Sequence, residues 1–205
     1  MASIRKEIRL SRPVRLLAAA CLCLFGAFAG CPAPATGYQT YTLEEGVGHL
    51  SFEHPARYGI KTVQLTEDES YTMVDAYGPV NREDRSRPRL WVTVTRANPG
   101  PPDAGAFLQS ALDVAVSLPD FRFVERSPVT VDGATGEQVV YANTMFRSDY
   151  ETRVLRLKPV TVLNRQVFVA HGESVWSISI TVKESIAAAE MAEFERLLAS
   201  FKFLN

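Results

Sequence analysis

The chain has 205 residues with 22 Lys+Arg against 23 Asp+Glu, a formal net charge of −1. Residues 1–30 hold five of those basic side chains and one acidic one, so the remainder carries 17 positive and 22 negative charges, a net of −5. A mildly acidic balance offers no electrostatic footprint for nucleic acid, whose phosphates need clustered Lys and Arg to neutralise them, and it gives no polybasic help in binding anionic lipid.

The chain opens with a cationic leader, Arg5, Lys6, Arg9, Arg12 and Arg15, followed by an apolar run over residues 16–29 that closes on Phe28-Ala29-Gly30-Cys31. The run is shorter than the roughly 20 residues a membrane-spanning helix requires. This is the layout of a secretory signal peptide. It also resembles a bacterial lipoprotein signal, in which the cysteine after the small residues is lipidated and becomes the new N-terminus. An ordinary cleaved signal, cut after Ala29 or near Ala35, and an uncleaved anchor helix are the alternatives. The expected organisation is a signal peptide over 1–30, a lipidated Cys31 with a Pro-rich tether over 31–37, and a folded domain over 38–205. A tether of this composition resists collapse and keeps reach. The expected location is the cell envelope, with the domain lipid-anchored on the extracytoplasmic side. Cys21 and Cys23 lie inside the apolar run, so the domain itself has no thiol nucleophile, no disulfide and no cysteine–metal site.

Past the tether the pattern is strand-rich. Strands are predicted over 48–53, 60–65, 71–77 and 89–96, with the charged stretch 81–88 as an exposed loop. The breaker cluster at 98–103 leads into a helix with Asp103 as N-cap, and Phe107, Leu108, Ala111, Leu112, Ala115 and Leu118 form its apolar face up to Pro119. Extended pieces over 121–126 and 128–131 precede a tight turn at Asp132-Gly133, with strands over 137–146 and 154–163 after it. Trp176, Ile178, Ile180 and Val182 alternate with Val175, Ser177, Ser179 and Thr181, the signature of a half-buried strand. Ser185 is predicted to cap a last helix packing through Met191, Phe194, Leu197, Leu198 and Phe201. Strand runs broken by single helices point to α+β, an antiparallel sheet of about six to seven strands with helices on its faces.

Candidate chemistry is sparse. His49, His54 and His171 are the only histidines, with His54 and His171 read as loop residues and His49 as a structural strand residue; an acid–base or metal site would need two of them to converge with a carboxylate. Gly172-Glu173-Ser174 lacks the second glycine and the strand–turn–helix setting of a nucleophile elbow. Glu44-Glu45 and Glu67-Asp68-Glu69 lack the alternating spacing of a calcium loop and read as solvated turns. No catalytic residue, metal site or cofactor is predicted. The feature singled out is the loop bearing Arg82, Arg85, Arg87 and Arg89, because arginine recognises carboxylates and is enriched at interface hot spots. A solvated mixed-charge hairpin tip is the competing reading. Trp91 and Trp176 are assigned to the core.

Several landmarks together resemble a known family. They are Leu50-Ser51-Phe52-Glu53-His54-Pro55 followed by Tyr58, Val131-Asp132-Gly133-Ala134-Thr135-Gly136 leading into Val139-Val140-Tyr141, Trp176-Ser177-Ile178-Ser179-Ile180, and a closing Ser200-Phe201-Lys202-Phe203. In order and spacing the chain over 38–205 resembles the PsbP-like domain, a fold shared with a Ran-binding nuclear import factor. The resemblance implies an α-β-α sandwich around an antiparallel sheet, used as a non-catalytic binding or assembly module. The docking extension of photosynthetic members is replaced here by the tether, and no metal-binding residue carries over.

The expected function is therefore a membrane-anchored, extracytoplasmic lipoprotein that binds a protein partner without catalysis. The alternative is a small-ligand carrier or sensor using a pocket between sheet and helix. The expected partners are the membrane, through lipid on Cys31, and a protein; nucleic acid is not among them.

Overall fold

The computed structural model describes residues 36–204 apart from 65–69, 98–99, 146–147 and 149. In chain order the strands are β1 (Tyr38–Leu43), β2 (His49–Pro55), β3 (Gly59–Gln64), β4 (Tyr71–Tyr77), β5 (Arg89–Arg96), β6 (Arg122–Val131), β7 (Ala134–Thr144), β8 (Thr161–His171), β9 (Ser174–Lys183) and β10 (Lys202–Leu204). Helix α1 (Ala104–Ala115) separates β5 from β6, and α2 (Ala187–Ser200) separates β9 from β10. Seven strands form one sheet in the order β3-β4-β5-β9-β8-β7-β6, every neighbouring pair antiparallel. A separate sheet pairs β1 and β10 with the two edges of β2. The architecture is α+β, as the sequence leads one to expect, with the second sheet as an addition.

Alternation decides which face each strand residue joins. Leu90, Val92 and Val94 of β5 and Trp176, Ile178, Ile180 and Val182 of β9 are buried on one face, where they meet Leu50 and Phe52 of β2 and Phe194, Leu197 and Phe201 from the α2 region. On the opposite face, Leu108 and Ala115 of α1 bury against Val139 and Tyr141 of β7, Phe168 of β8 and Val175 of β9. The side chain of Asp103 caps α1 by accepting from the Ala106 amide at 3.0 Å.

The structure corrects several expectations. β9 is covered on both faces: α1 packs over Val175 on the side that alternation alone leaves open, and Ser179 on that side, between Trp91 and Gln166, is fully buried. The two extended pieces before the turn are one strand, β6, with an irregularity between Phe123 and Glu125; as an edge strand it tolerates Pro128. The Asp132-Gly133 turn is as read, with φ of +46° and +83° joining Val131 to Ala134, so β7 starts earlier than expected. The strand expected over 154–163 is a wide helical turn (Tyr150–Val154), an irregular stretch and then β8. Its polar middle hid β8: Asn164 is buried because its side-chain amide donates to Asn143 at 2.7 Å and it accepts from the Thr181 hydroxyl.

Ser185 does not cap α2. It lies in a tight turn (Glu184–Ile186), and Ile186 occupies the cap position without a side-chain hydrogen bond. α1 ends at Ala115, before Leu118 and Pro119, and the chain leaves α2 at Phe201 so that Phe203 can stack into the aromatic group of Trp176, Phe201 and His171. His54 belongs to β2 and is buried, rather than lying in a loop. Its burial holds the imidazole below the usual histidine range.

One anchor ties β2's end to α2. Glu190 is buried on α2, accepting from the Tyr58 hydroxyl at 2.6 Å and from Arg57 at 3.2 Å, which Glu193 also engages. Burial and the Glu190 carboxylate drive the Tyr58 hydroxyl far above its ordinary pKa, so it stays protonated as the donor.

Gly136 allows a close approach between neighbouring strands of the main sheet: a Cβ there would lie 2.0 Å from the backbone oxygen of Phe168 on β8. Gly136→Ala is expected to cost about 3 kcal/mol, because backbone cannot move aside as a side chain can. Gly59→Ala, whose Cβ meets nothing within 4 Å, should change stability by less than about 1 kcal/mol. Urea unfolding midpoints of the two variants check this contrast.

Candidate functional site

Residues 78–88 connect β4 to β5 and hold Arg82, Arg85 and Arg87 of the arginines singled out from sequence; Arg89 follows as the first residue of β5. The connection is built by its own polar side chains. Gly78 N donates to Pro88 O at 2.9 Å, Asn81 N to Ser86 O at 2.7 Å, and Arg85 N to Asn81 O at 2.9 Å. Asn81 Oδ1 accepts from Glu83 N at 2.9 Å. Asp84 Oδ1 accepts from Ser86 N at 2.8 Å and from the Ser86 hydroxyl, while Asp84 Oδ2 accepts from Lys183 Nζ of β9 at 2.6 Å. Ser86 and Pro88 are buried, and Arg85 takes a positive φ of +56°. The stretch was expected to be an exposed tip; its arginines are exposed, but its backbone is folded onto the sheet.

The four arginines separate into distinct settings. Arg82 is exposed and does not line the cavity that the other three share. Arg85 and Arg87 are exposed beside a cavity of about 340 Å³, and Arg87 stacks its guanidinium 3.9 Å over the Tyr77 ring. Arg89 opens β5 and makes a two-point ion pair with buried Asp75 of β4, Nε to Oδ1 at 2.9 Å and Nη2 to Oδ2 at 3.1 Å. Its guanidinium also lies 5.0 Å from the Trp91 ring. Desolvation alone would lower the Arg89 pKa, but the Asp75 carboxylate overcomes it and fixes the charge. The structure thus joins Arg85, Arg87 and Arg89 with Tyr77, Trp91 and Met145 around one cavity.

Trp91 corrects its core assignment: it is half-buried in the wall of this cavity, whereas Trp176 is in the core as expected. The missing signal was in the sequence, since Arg89 and Trp91 share the strand face opposite Leu90, Val92 and Val94. Asp75 and Tyr77 share the corresponding face of β4, which only the register of the two strands reveals.

The other candidates do not assemble into chemistry. His171 stacks on Phe203 with ring centroids 4.1 Å apart, and His54 lies edge-on to Phe52. Among the described residues no group of three His, Cys, Asp or Glu side chains could hold a metal ion. Gly172 and Glu173 form the β8–β9 turn, and Ser174 is the buried first residue of β9. Glu44 and Glu45 are exposed. Cys31 and Glu67-Asp68-Glu69 lie outside the described residues. A groove of about 410 Å³ between α1 and the sheet is lined by Thr93, Phe107, Ala111, Tyr141 and Gln166, among others. Gln166 Oε1 is buried and has no hydrogen-bond partner among the described residues.

No protein-family model matches the chain, and no curated protein matches its sequence. Solved structures do match. LpqN of Mycobacterium tuberculosis, described as involved in cell envelope biogenesis, is 12% identical, covers 83% of this chain and 93% of its own, and superposes with a TM-score of 0.51. Cyanobacterial PsbP (CyanoP) from Synechocystis is 12% identical over 86% of this chain and 99% of its own, also at 0.51. The yeast Ran-binding protein Mog1p, from Saccharomyces cerevisiae, is 11% identical over 83% and 97%, at 0.48. The chain has the PsbP-like fold that its sequence landmarks anticipate.

The Asp84 contacts set a pH dependence. Burial alone would raise this carboxyl, but hydrogen bonds from Lys183 and Ser86 overcome it and hold it down at about 2. A depressed folded-state pKa contributes stability that is complete above the unfolded value of about 4 and is lost as pH falls toward the folded one. Asp84→Asn should therefore cost about 1 kcal/mol at pH 6, discounted for the loop's proximity to solvent. Denaturant midpoints should show the gap closing below about pH 4; a gap unchanged down to that range and below would contradict the assignment.

Proposed function

We propose that this protein is a membrane-anchored, extracytoplasmic binding module, held by lipid on Cys31, that docks a protein partner through the face bearing Arg85, Arg87 and Arg89. In this reading residues 1–30 are the signal peptide, 31–37 the lipidated cysteine and tether, and 38–205 the binding domain. Arg82 forms the rim of the docking surface.

The observation that carries the reading is the state of Arg85 and Arg87. Both are exposed and neither has a carboxylate partner among the described residues, yet both stand on a backbone fixed by Asp84 and beside half-buried Trp91. Pre-positioned guanidinium groups next to an aromatic recess are what hot spots at protein interfaces use. A role without catalysis accords with histidines engaged in ring packing. The fold likeness to LpqN, which is involved in cell envelope biogenesis, supports an envelope role. Among the described residues no helix is long and apolar enough to cross a membrane; in this reading the acyl chains on Cys31 supply the attachment.

Crosslinking in membranes followed by pull-down tests this directly, comparing the native chain with Cys31→Ser and with Arg85→Ala/Arg87→Ala. A single partner should be recovered in near-equal amount from the native chain and lost from the double arginine variant. Cys31→Ser should leave the membrane fraction. Equal recovery from the native and arginine forms would remove the loop from the interface.

A second reading is a carrier or sensor for a small ligand held in the groove between α1 and the sheet. It is favoured by one observation, the unpaired buried Oε1 of Gln166, which calls for a donor. If that donor comes from a ligand, Gln166→Leu should abolish the thermal stabilisation that a bound small molecule from an envelope extract confers. Extract that leaves the wild-type midpoint unmoved would dismiss this reading.

A further inference from the structure

Unpaired positive charge is unevenly distributed over this acidic domain. At least half of the described Lys and Arg side chains are held by a carboxylate in an ion pair, including Arg57, Arg122, Arg165 and Arg196. Of the others, Arg82, Arg85, Arg87, Arg156 and Lys158 gather around the 78–88 connection, and Lys61 and Arg96 lie elsewhere among the described residues.

The connection is a wall between two cavities. Arg85, Ser86 and Arg87 line the recess of about 340 Å³ already described, together with Glu151, whose carboxylate accepts from the Ser148 amide and hydroxyl, whereas Glu83 and Asp84 line another of about 610 Å³ with Arg156 and Lys158. The remaining charges of the larger cavity are largely internal: Asp84 is bound to Lys183 at 2.6 Å, and Glu184 to Arg122 at 2.6 Å. Glu83 alone opposes Arg156 and Lys158. Along β9, Thr181 lines the smaller cavity and Lys183 the larger. Two residues of strand separate them, about 7 Å, a span that two or three residues of extended polypeptide cover.

We infer that both cavities form one site, which takes an acidic polypeptide segment straddling the 78–88 connection. Its carboxylates meet Arg85 and Arg87 on one side and Arg156 and Lys158 on the other, and an apolar side chain between them seats against Trp91 and Met145. This rests on the proposed docking role of the arginine loop and extends it to residues across the wall. A polypeptide fits better than an anionic lipid surface. The cations line recesses instead of crowning a protrusion, and Trp91 is half-buried rather than projecting.

The test uses the full chain in detergent and fluorescence anisotropy with a fluorescein-labelled Glu-Glu-Leu-Glu-Glu peptide; its Gln-for-Glu counterpart is the uncharged control. Arg85→Ala/Arg87→Ala and Arg156→Ala/Lys158→Ala should each weaken binding about tenfold with unchanged unfolding midpoints, and the uncharged peptide should not bind. If only the first pair weakens binding, the extension across the wall is overturned while the loop reading stands. If neither pair does, or the acidic peptide does not bind, both fail. Displacement by soluble short-chain phosphatidylserine at lower concentration than by unlabelled peptide would overturn the inference in favour of anionic lipid.

Discussion

A single carboxylate, that of Asp84, gives the 78–88 connection its form. It accepts the amide and hydroxyl of Ser86 on one oxygen and the ammonium of Lys183 on the other. Lys183 ends β9, a central strand of the main sheet, so the bond ties the connection to the most buried part of the molecule. A connection of this length would otherwise lose its order to chain entropy, at about 1–2 kcal/mol per residue fixed. Asp84 and Lys183 themselves line the larger cavity, and Ser86, which Asp84 holds, lines the smaller.

The site lies where the helical cover of the sheet stops. α1 packs over β7, β8 and β9, burying Val139, Tyr141, Phe168 and Val175. The same face of β4 and β5 carries Asp75, Tyr77, Arg89 and Trp91 in place of an apolar stripe. Asp75 is buried but paired at two points with Arg89, which offsets a desolvation penalty that an unpaired carboxylate could not bear. The opposite face is packed with Val74, Val92, Val94 and Ile178 against the α2 layer. The sandwich is thus apolar on one side and half-covered on the other, and the uncovered half bears the charged and aromatic side chains. Residues that face water there are available to a partner.

Much of this was legible in the sequence because it follows from period and punctuation. The alternation at 89–96 and 174–183, the helical spacing after Asp103 and the Asp132-Gly133 turn each specify local geometry without help from distant residues. What was hidden depends on tertiary partners. β8 was obscured by Asn164 and Gln166, polar residues in a covered strand, and the former is satisfied only by Asn143 and Thr181. β10 is three residues long and is held by β2, some 150 positions earlier in the chain. The arginine loop was visible as a charge cluster, but its rigidity was not, since nothing local pairs Asp84 with Lys183. Arg156 and Lys158 went unnoticed for the same reason: they stand in a stretch expected to be strand and meet the loop only across a cavity.

The central claim is that the arginine connection is an ordered, pre-positioned surface and not a solvated tip. Amide hydrogen exchange at Asn81, Arg85 and Ser86, whose N–H groups donate within the loop, addresses it most directly. The account predicts exchange at least about tenfold slower than the intrinsic rate at these three amides, with that protection lost in Asp84→Asn while the amides of β9 are unaffected. Exchange at intrinsic rates in the native protein would contradict it and return the loop to the status of a solvated hairpin tip.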